Sequence, residues 1–161
     1  MILVTQLEAG GVQSAALKLK EGLSDQYDTK LIFLYRKTEV IPLNNSTICL
    51  SESKPESAFQ NIKIFYKLFR LLLKDKTYSL ITLGHYSNVF GQIFAFFLRV
   101  PLRIASQRNP MQFNPPMMIK LDKILGNFGF YDHNVMVSKS VLDSFSSFPK
   151  KYLSKCVVIP N

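Results

Sequence analysis

Tryptophan is absent from this 161-residue chain, and histidine and cysteine occur only twice each. Each shortage closes off some chemistry. His85 and His133 are too few, at their spacing, to assemble a metal-binding cluster or a serine–histidine–acid set. Cys49 and Cys156 lie far apart with neither metal-ligand nor redox spacing, so they read as two reduced, mostly buried thiols, a usage that suits the cytosol. Long apolar runs are missing as well: the longest, Val89 to Leu98, is interrupted by Gln92 and is too short to span a bilayer. Met1 opens directly into a strand-like run with no signal peptide, which leaves a soluble protein or one bound at a membrane surface. Acidic residues are scarce, 11 against 20 lysines and arginines, for a net charge of +9. That excess favours anionic partners: nucleic acid, acidic lipid headgroups or phosphorylated substrates. No helix-turn-helix, zinc finger or aromatic RNA-binding motif accompanies it, so nucleic acid is set aside.

The chain does have an ample apolar supply, 47% of its residues with 13 phenylalanines, enough for one compact domain spanning residues 1–161. Short apolar runs alternate with longer helical patterns, which predicts an α/β fold with a doubly wound, mostly parallel, Rossmann-like sheet. Strands are expected at 1–7, 30–35, 47–50, 80–83, 102–106, 134–137 and 156–159, with a polar loop at Asn44, Asn45 and Ser46. Helices are expected at 12–27, 56–74, 87–98 with Ser87 as its cap, 117–128 and 139–148. In the second helix, Ile62, Phe65, Phe69 and Leu72 recur as a buried stripe, and Lys63, Lys67, Arg70 and Lys74 recur at the same spacing on another face.

Ligands of open α/β sheets bind beyond the carboxyl ends of the strands, so the loops there hold the candidates. After the first strand come Gly10 and Gly11, which allow a tight turn and a close backbone approach to phosphate at a helix amino terminus. The pair lacks the full GxGxxG pattern, so a plain turn is an equal reading. After the fourth strand, His85 offers an acid, a base or a hydrogen-bond donor to a sugar or phosphate, or else serves structure, and Asn88 follows it. After the fifth, Ser106, Gln107, Arg108 and Asn109 form a polar run in which the arginine can fork onto a phosphate or carboxylate, or pair within its own loop. The basic stripe Lys63, Lys67, Arg70 and Lys74 is either a solvated face or a surface for anionic lipid, with Phe59, Tyr66 and Leu73 as its apolar edges.

Three segments together resemble family 4 glycosyltransferases, which have the two-domain GT-B fold. MILVTQLEAGGVQSAALKLKEGL is similar to their first strand, glycine pair and first helix. LITLGHYSNVFGQIFAFFLRVPLRIASQRNP is similar to a strand and helix followed by a strand ending in a polar motif. A subset of the family carries Ser-Glu-Arg-Asn at that motif; Ser106, Gln107, Arg108 and Asn109 stand here, with Gln107 the departure. Many members have histidine where Arg108 sits, so no histidine role carries over to that position. VMVSKSVLDSF…LSKCVVIPN, containing Ser138 and ending at Asn161, is similar to the end of the family's N-terminal domain.

The resemblance implies the acceptor-side half of a retaining, metal-independent glycosyltransferase that moves a sugar from a nucleotide-sugar to a glycan or lipid-linked acceptor in polysaccharide or glycolipid synthesis. It implies no cofactor, since the nucleotide-sugar is a substrate, bound mainly by a second domain with an ExxxxxxxE motif that these residues do not contain. Gly10 and Gly11 would face the donor diphosphate, and His85, Asn88, Arg108 and Asn109 the acceptor. By itself the chain is expected to be inactive, completed by its own C-terminal domain or a partner subunit across an exposed apolar surface near Ile159 and Pro160. The expected location is cytoplasmic, peripheral on the inner face of the membrane. The competing expectation is a non-catalytic subunit that recruits to membrane or completes its site with a partner.

Overall fold

The computed structural model describes residues 1–38 and 46–160, which form two compact units, Met1–Thr77 and the residues from Tyr78 onward. The first unit contains β1 (Ile2–Leu7), α1 (Gly11–Ser24), β2 (Leu31–Arg36), β3 (Thr47–Cys49) and α2 (Ala58–Lys74). Its strands pair in parallel in the order β3-β2-β1, with Ile2 opposite Leu31 and Leu31 opposite Thr47. Ile2, Leu3, Val4, Leu31, Ile32 and Phe33 are buried in unbroken runs rather than on alternate residues, because helices cover parallel strands on both faces. Ser57 caps α2 by accepting from the Gln60 backbone N–H at 3.2 Å.

The second unit contains β4 (Ser79–Leu83), a π-turn (Ser87–Gly91) running into α3 (Gln92–Phe97), and β5 (Leu102–Gln107). A 3₁₀ turn (Met111–Phe113), α4 (Pro116–Phe128), β6 (His133–Met136), α5 (Lys139–Ser144), α6 (Lys150–Leu153) and β7 (Cys156–Val158) complete it. Its strands are parallel in the order β4-β5-β6-β7. Pro116 opens α4 at a position whose N–H needs no partner, and Gly129 closes it in the left-handed region at φ 84°. The α/β, doubly wound class expected from the sequence is the fold found, with all seven strands present.

Several details differ from expectation. The first helix stops at Ser24 instead of 27: Asp25 caps it and Tyr27 turns out to solvent. In α2 the buried line is Ile64, Leu68 and Leu72; Leu72 belongs to the expected stripe and Phe65 and Phe69 are partly buried at its edge, but Ile62 is 63% exposed, so the stripe is turned by roughly a fifth of a turn from the expected one. Ser87 is no helix cap; it lies inside a helical stretch, and its hydroxyl donates to the carbonyls of Leu83 (2.6 Å) and Gly84 (2.9 Å). The expected helix 139–148 breaks at Ser144 because Phe145 and Phe148 both turn inward onto Tyr152, with ring centroids 6.0 and 4.7 Å away. Pro149 then starts the short α6, which carries Tyr152 and which sequence periodicity missed. Both cysteines are free, as expected, but half-buried. Asn44, Asn45 and Asn161 lie outside the described residues.

Candidate functional site

In the first unit, the chain leaves β1 through Glu8 and enters α1 at Gly11, with Gly10 as an extended cap residue (φ 175°, ψ 167°) that makes no side-chain cap. Gly10 and Gly11 are both exposed. A Cβ on Gly10 would meet only the Gln13 side-chain oxygen, at 2.7 Å, and one on Gly11 would meet nothing within 4 Å. The dihedral angles of Gly10 do not require glycine, but a side chain there would displace the buried, hydrogen-bonded Gln13, whereas Gly11 has open space; together they leave the first N–H groups of a 14-residue helix without side-chain cover. Behind this turn, the buried Gln13 amide donates to the Gln6 carbonyl at 2.9 Å, and the Tyr35 hydroxyl donates to the Gln6 side chain at 2.7 Å. Lys37, just past β2, bonds Glu8 at 2.6 Å, and that bond is the main reason the Glu8 carboxyl titrates below its usual range.

In the second unit, Gly84 takes the positive φ of 97° that turns the chain out of β4, and His85 follows at once. His85 is half-buried and hydrogen-bonded to the side chain of Asn114. Burial lowers its pKa more than the Asn114 bond raises it, so the imidazole is neutral at pH 7 and can accept or donate a hydrogen bond. Tyr86 packs against it with ring centroids 4.6 Å apart. Arg108 is half-buried after β5, and burial lowers its guanidinium below its usual value; Asn109 beside it is exposed. His85, Arg108 and Asn109 thus come from the carboxyl ends of neighbouring strands β4 and β5. Asn114 joins the loop after β5 to His85, and the exposed Phe113 precedes it. Neither residue carried a sequence signal, since Asn114 is a lone amide in a proline-rich loop.

Asn88 has a different place. It is fully buried; Thr82 donates to its oxygen at 2.8 Å, and its amide donates to the Ser106 carbonyl at 3.0 Å. Gln92 reinforces the same spot, donating at 2.9 Å to both Thr82 and the Ile104 carbonyl. Asn88 therefore ties β4 to β5 beneath the loops and is not on their surface. His133 is exposed at the start of β6.

On α2, Lys63, Lys67, Arg70 and Lys74 are exposed, and none pairs with a carboxylate among the described residues. Lys67 donates to the Leu50 carbonyl at 2.7 Å, and Arg70 lies over the Tyr66 ring at 5.9 Å. Phe59, Ile62, Tyr66 and Leu73 are exposed on the same helix. An open hollow of about 500 Å³ lies between β3 and α2, lined by Ile48, Leu50, Lys67, Arg70 and Lys74 among others. No cluster of metal-ligating side chains and no helix able to cross a membrane occurs among the described residues.

No protein-family model and no curated relative matches the chain. Solved structures do. Anabaena Alr3699/HepE, in complex with UDP and glucose, superposes with a TM-score of 0.66 at 13% identity, over 99% of this chain and 44% of that one. The fold is shared. The lipopolysaccharide outer core galactosyltransferase WaaB, in its apo form, gives 0.69 at 10% identity, over 100% of this chain and 46% of its own. UDP-GlcNAc 2-epimerase from Methanocaldococcus jannaschii gives 0.69 at 12%, over 99% and 45%. The chain thus has the Rossmann-like α/β fold found in glycosyltransferases of the GT-B class and in a nucleotide-sugar epimerase, and it spans under half the length of each.

Proposed function

We propose that this chain is the acceptor-side domain of a retaining family 4 glycosyltransferase that moves a sugar from a nucleotide-sugar to a glycan or lipid-linked acceptor in polysaccharide or glycolipid synthesis. The observation that carries this reading is the likeness, over nearly all of this chain and under half of theirs, to Alr3699/HepE bound to UDP and glucose, to a lipopolysaccharide galactosyltransferase and to a UDP-GlcNAc 2-epimerase. The uncovered amino terminus of α1 at Gly10 and Gly11 suits a donor diphosphate held by backbone N–H groups. His85, Arg108 and Asn109 suit the acceptor: a neutral imidazole and an amide for hydroxyls, and a guanidinium for phosphate. Asn88 supports these loops from below. The nucleotide and most donor contacts belong to a second domain, and no cofactor or metal takes part.

The test is transfer by the protein from the complete reading frame, assayed with a panel of nucleotide-sugars. Arg108→Ala is expected to lower kcat/KM about 100-fold, in line with loss of a charged contact to the acceptor's phosphate. Absence of both transfer and donor hydrolysis with every donor, or an unchanged Arg108→Ala enzyme, overturns the reading.

A second reading, a non-catalytic subunit recruited to the cytoplasmic face of an anionic membrane, is favoured by α2, where cations with no carboxylate partner among the described residues flank exposed Phe59, Tyr66 and Leu73. Its other need is a partner subunit, for which the exposed Val157 in β7 and Ile159 just after it would offer an apolar contact. Salt-sensitive vesicle binding without transferase activity distinguishes it.

A further inference from the structure

α4 carries an acid where its buried stripe calls for an apolar residue. Met118, Asp122 and Leu125 lie on its inward face, and Asp122 is 6% exposed. Three donors surround the carboxyl: Tyr152 Oη at 2.6 Å and Gln107 Nε2 at 3.0 Å on Oδ2, and Tyr131 Oη at 3.2 Å on Oδ1. Tyr152 Oη in turn accepts from Asn134 Nδ2 at 2.8 Å and from Gln107 Nε2 at 3.4 Å. These five side chains come from α4, β5, β6, α6 and the segment between α4 and β6, and all are buried. Gly126, one turn along α4, leaves the room the tyrosines need: a Cβ there would collide with the Tyr131 hydroxyl and the Tyr152 ring. Gln107 is the last residue of β5 and directly precedes Arg108 and Asn109, so the cluster holds the base of that loop.

The arrangement can be polarised in two senses. With Asp122 ionised, Asn134 donates to Tyr152 and Tyr152 donates to the carboxylate. Asn134 Oδ1 has no partner among the described residues. Turning that amide over brings its oxygen to Tyr152; a neutral Asp122, having taken a proton from solvent, then donates to Tyr152, which donates onward to Asn134. The other titratable groups near the cluster are Tyr131, Tyr152 and Cys156, all pushed upward and uncharged at neutral pH, together with Lys155. Lys155 is turned to the carbonyls of Gly126 and Tyr131 at 2.7 and 3.0 Å, and no cation among the described residues pairs with the carboxylate.

We propose that Asp122, Gln107, Tyr131, Asn134 and Tyr152 form a proton-controlled latch beneath the Arg108–Asn109 loop, which adds more to the stability of the fold when Asp122 is neutral than when it is ionised. Burial supports this by pushing the Asp122 carboxyl up to about 6, against the pull of its three hydrogen bonds. Between the ordinary aspartate value of 3.8 and about 6, the folded chain holds a proton that the unfolded chain has released. Stability from this group is therefore full below that window, falls as pH rises through it, and levels off above. His85 works in the opposite sense, because its lowered pKa makes stability rise with pH.

Urea unfolding of the whole chain at pH 5.0 and 7.5, compared with Asp122→Asn, isolates the latch, since both proteins share their histidines. The wild type is expected to lose about tenfold more in its folding equilibrium constant than Asp122→Asn over that interval. Gln107→Glu, which sets a second carboxyl against Asp122, is expected to move the step to higher pH. Equal pH slopes in wild type and Asp122→Asn overturn the proposal. If Asp122→Asn does not fold, ¹³C NMR titration of the wild-type Asp122 carboxyl decides: a midpoint above about 5 supports the latch, and one at or below that value overturns it.

Discussion

Around β1 and β2 the first unit buries Ile2, Leu3, Val4, Leu31, Ile32 and Phe33, whereas around β4, β5 and β6 the second buries Thr82, Asn88, Gln92, Gln107, Asp122 and Asn134 beside its apolar chains. The first unit, whose buried polar side chains are fewer (Gln13, Thr29, Thr47 and Thr77), is held mainly by area removed from water, a non-directional force that tolerates side chains of the right volume. The second depends on donors and acceptors that must meet within a few tenths of an ångström, because each one left alone in the interior costs about 1–3 kcal/mol. Its polar residues lie beneath the loops that carry His85 and Arg108, so directional bonds fix the places where a ligand's polar groups would have to be matched. The glycine turn of the first unit has a smaller support of this kind, the buried Gln13 amide on the Gln6 carbonyl, and it offers backbone groups that α1 itself positions.

Substitutions can break this comparison. The largest effect is expected from Gly126→Val, which drives a branched side chain into Tyr131 and Tyr152 and should cost about 3 kcal/mol or more in denaturant unfolding. Next come matched changes in the two cores. Leu68→Ala should cost about 2–5 kcal/mol and Leu68→Met less than about 1.5, because volume is what matters there. Asn88→Ala should cost about 2–3 kcal/mol, and Asn88→Leu, which restores volume, should recover little of it, because Thr82 and the Ser106 carbonyl still lose their partner. If Asn88→Leu proves as mild as Leu68→Met, the distinction between the cores fails. The smallest effect is expected from Ser57→Ala, about 1 kcal/mol from the lost α2 cap, visible as a small shift in the unfolding midpoint.

The strands and most helices were legible because parallel strands covered on both faces read as unbroken apolar runs, and Ile2–Val4 and Leu31–Leu34 are such runs. The loops bearing Gly10, Gly11, His85, Arg108 and Asn109 were legible for the same reason, since they follow strands whose ends could be placed. The α2 stripe was read roughly a fifth of a turn off, with Leu72 placed correctly and Ile62 not: α2 is apolar on more than one face, and periodicity cannot say which face meets the sheet. Asp122 left a legible sign, an acid on the apolar line of α4, though its partners lie 9 to 30 residues away in sequence.

What the sequence by itself determined is the alternation of strand and helix, the cationic surface and the order of the strand-end loops. All of these follow from local periodicity and composition. Only the tertiary structure decided that Asn88 is an interior tie, that Asn114 holds His85 and that Asp122 is ringed by Gln107, Tyr131 and Tyr152. A hydrogen bond is a meeting of two atoms in space, and the pattern along one stretch of chain records only one of them.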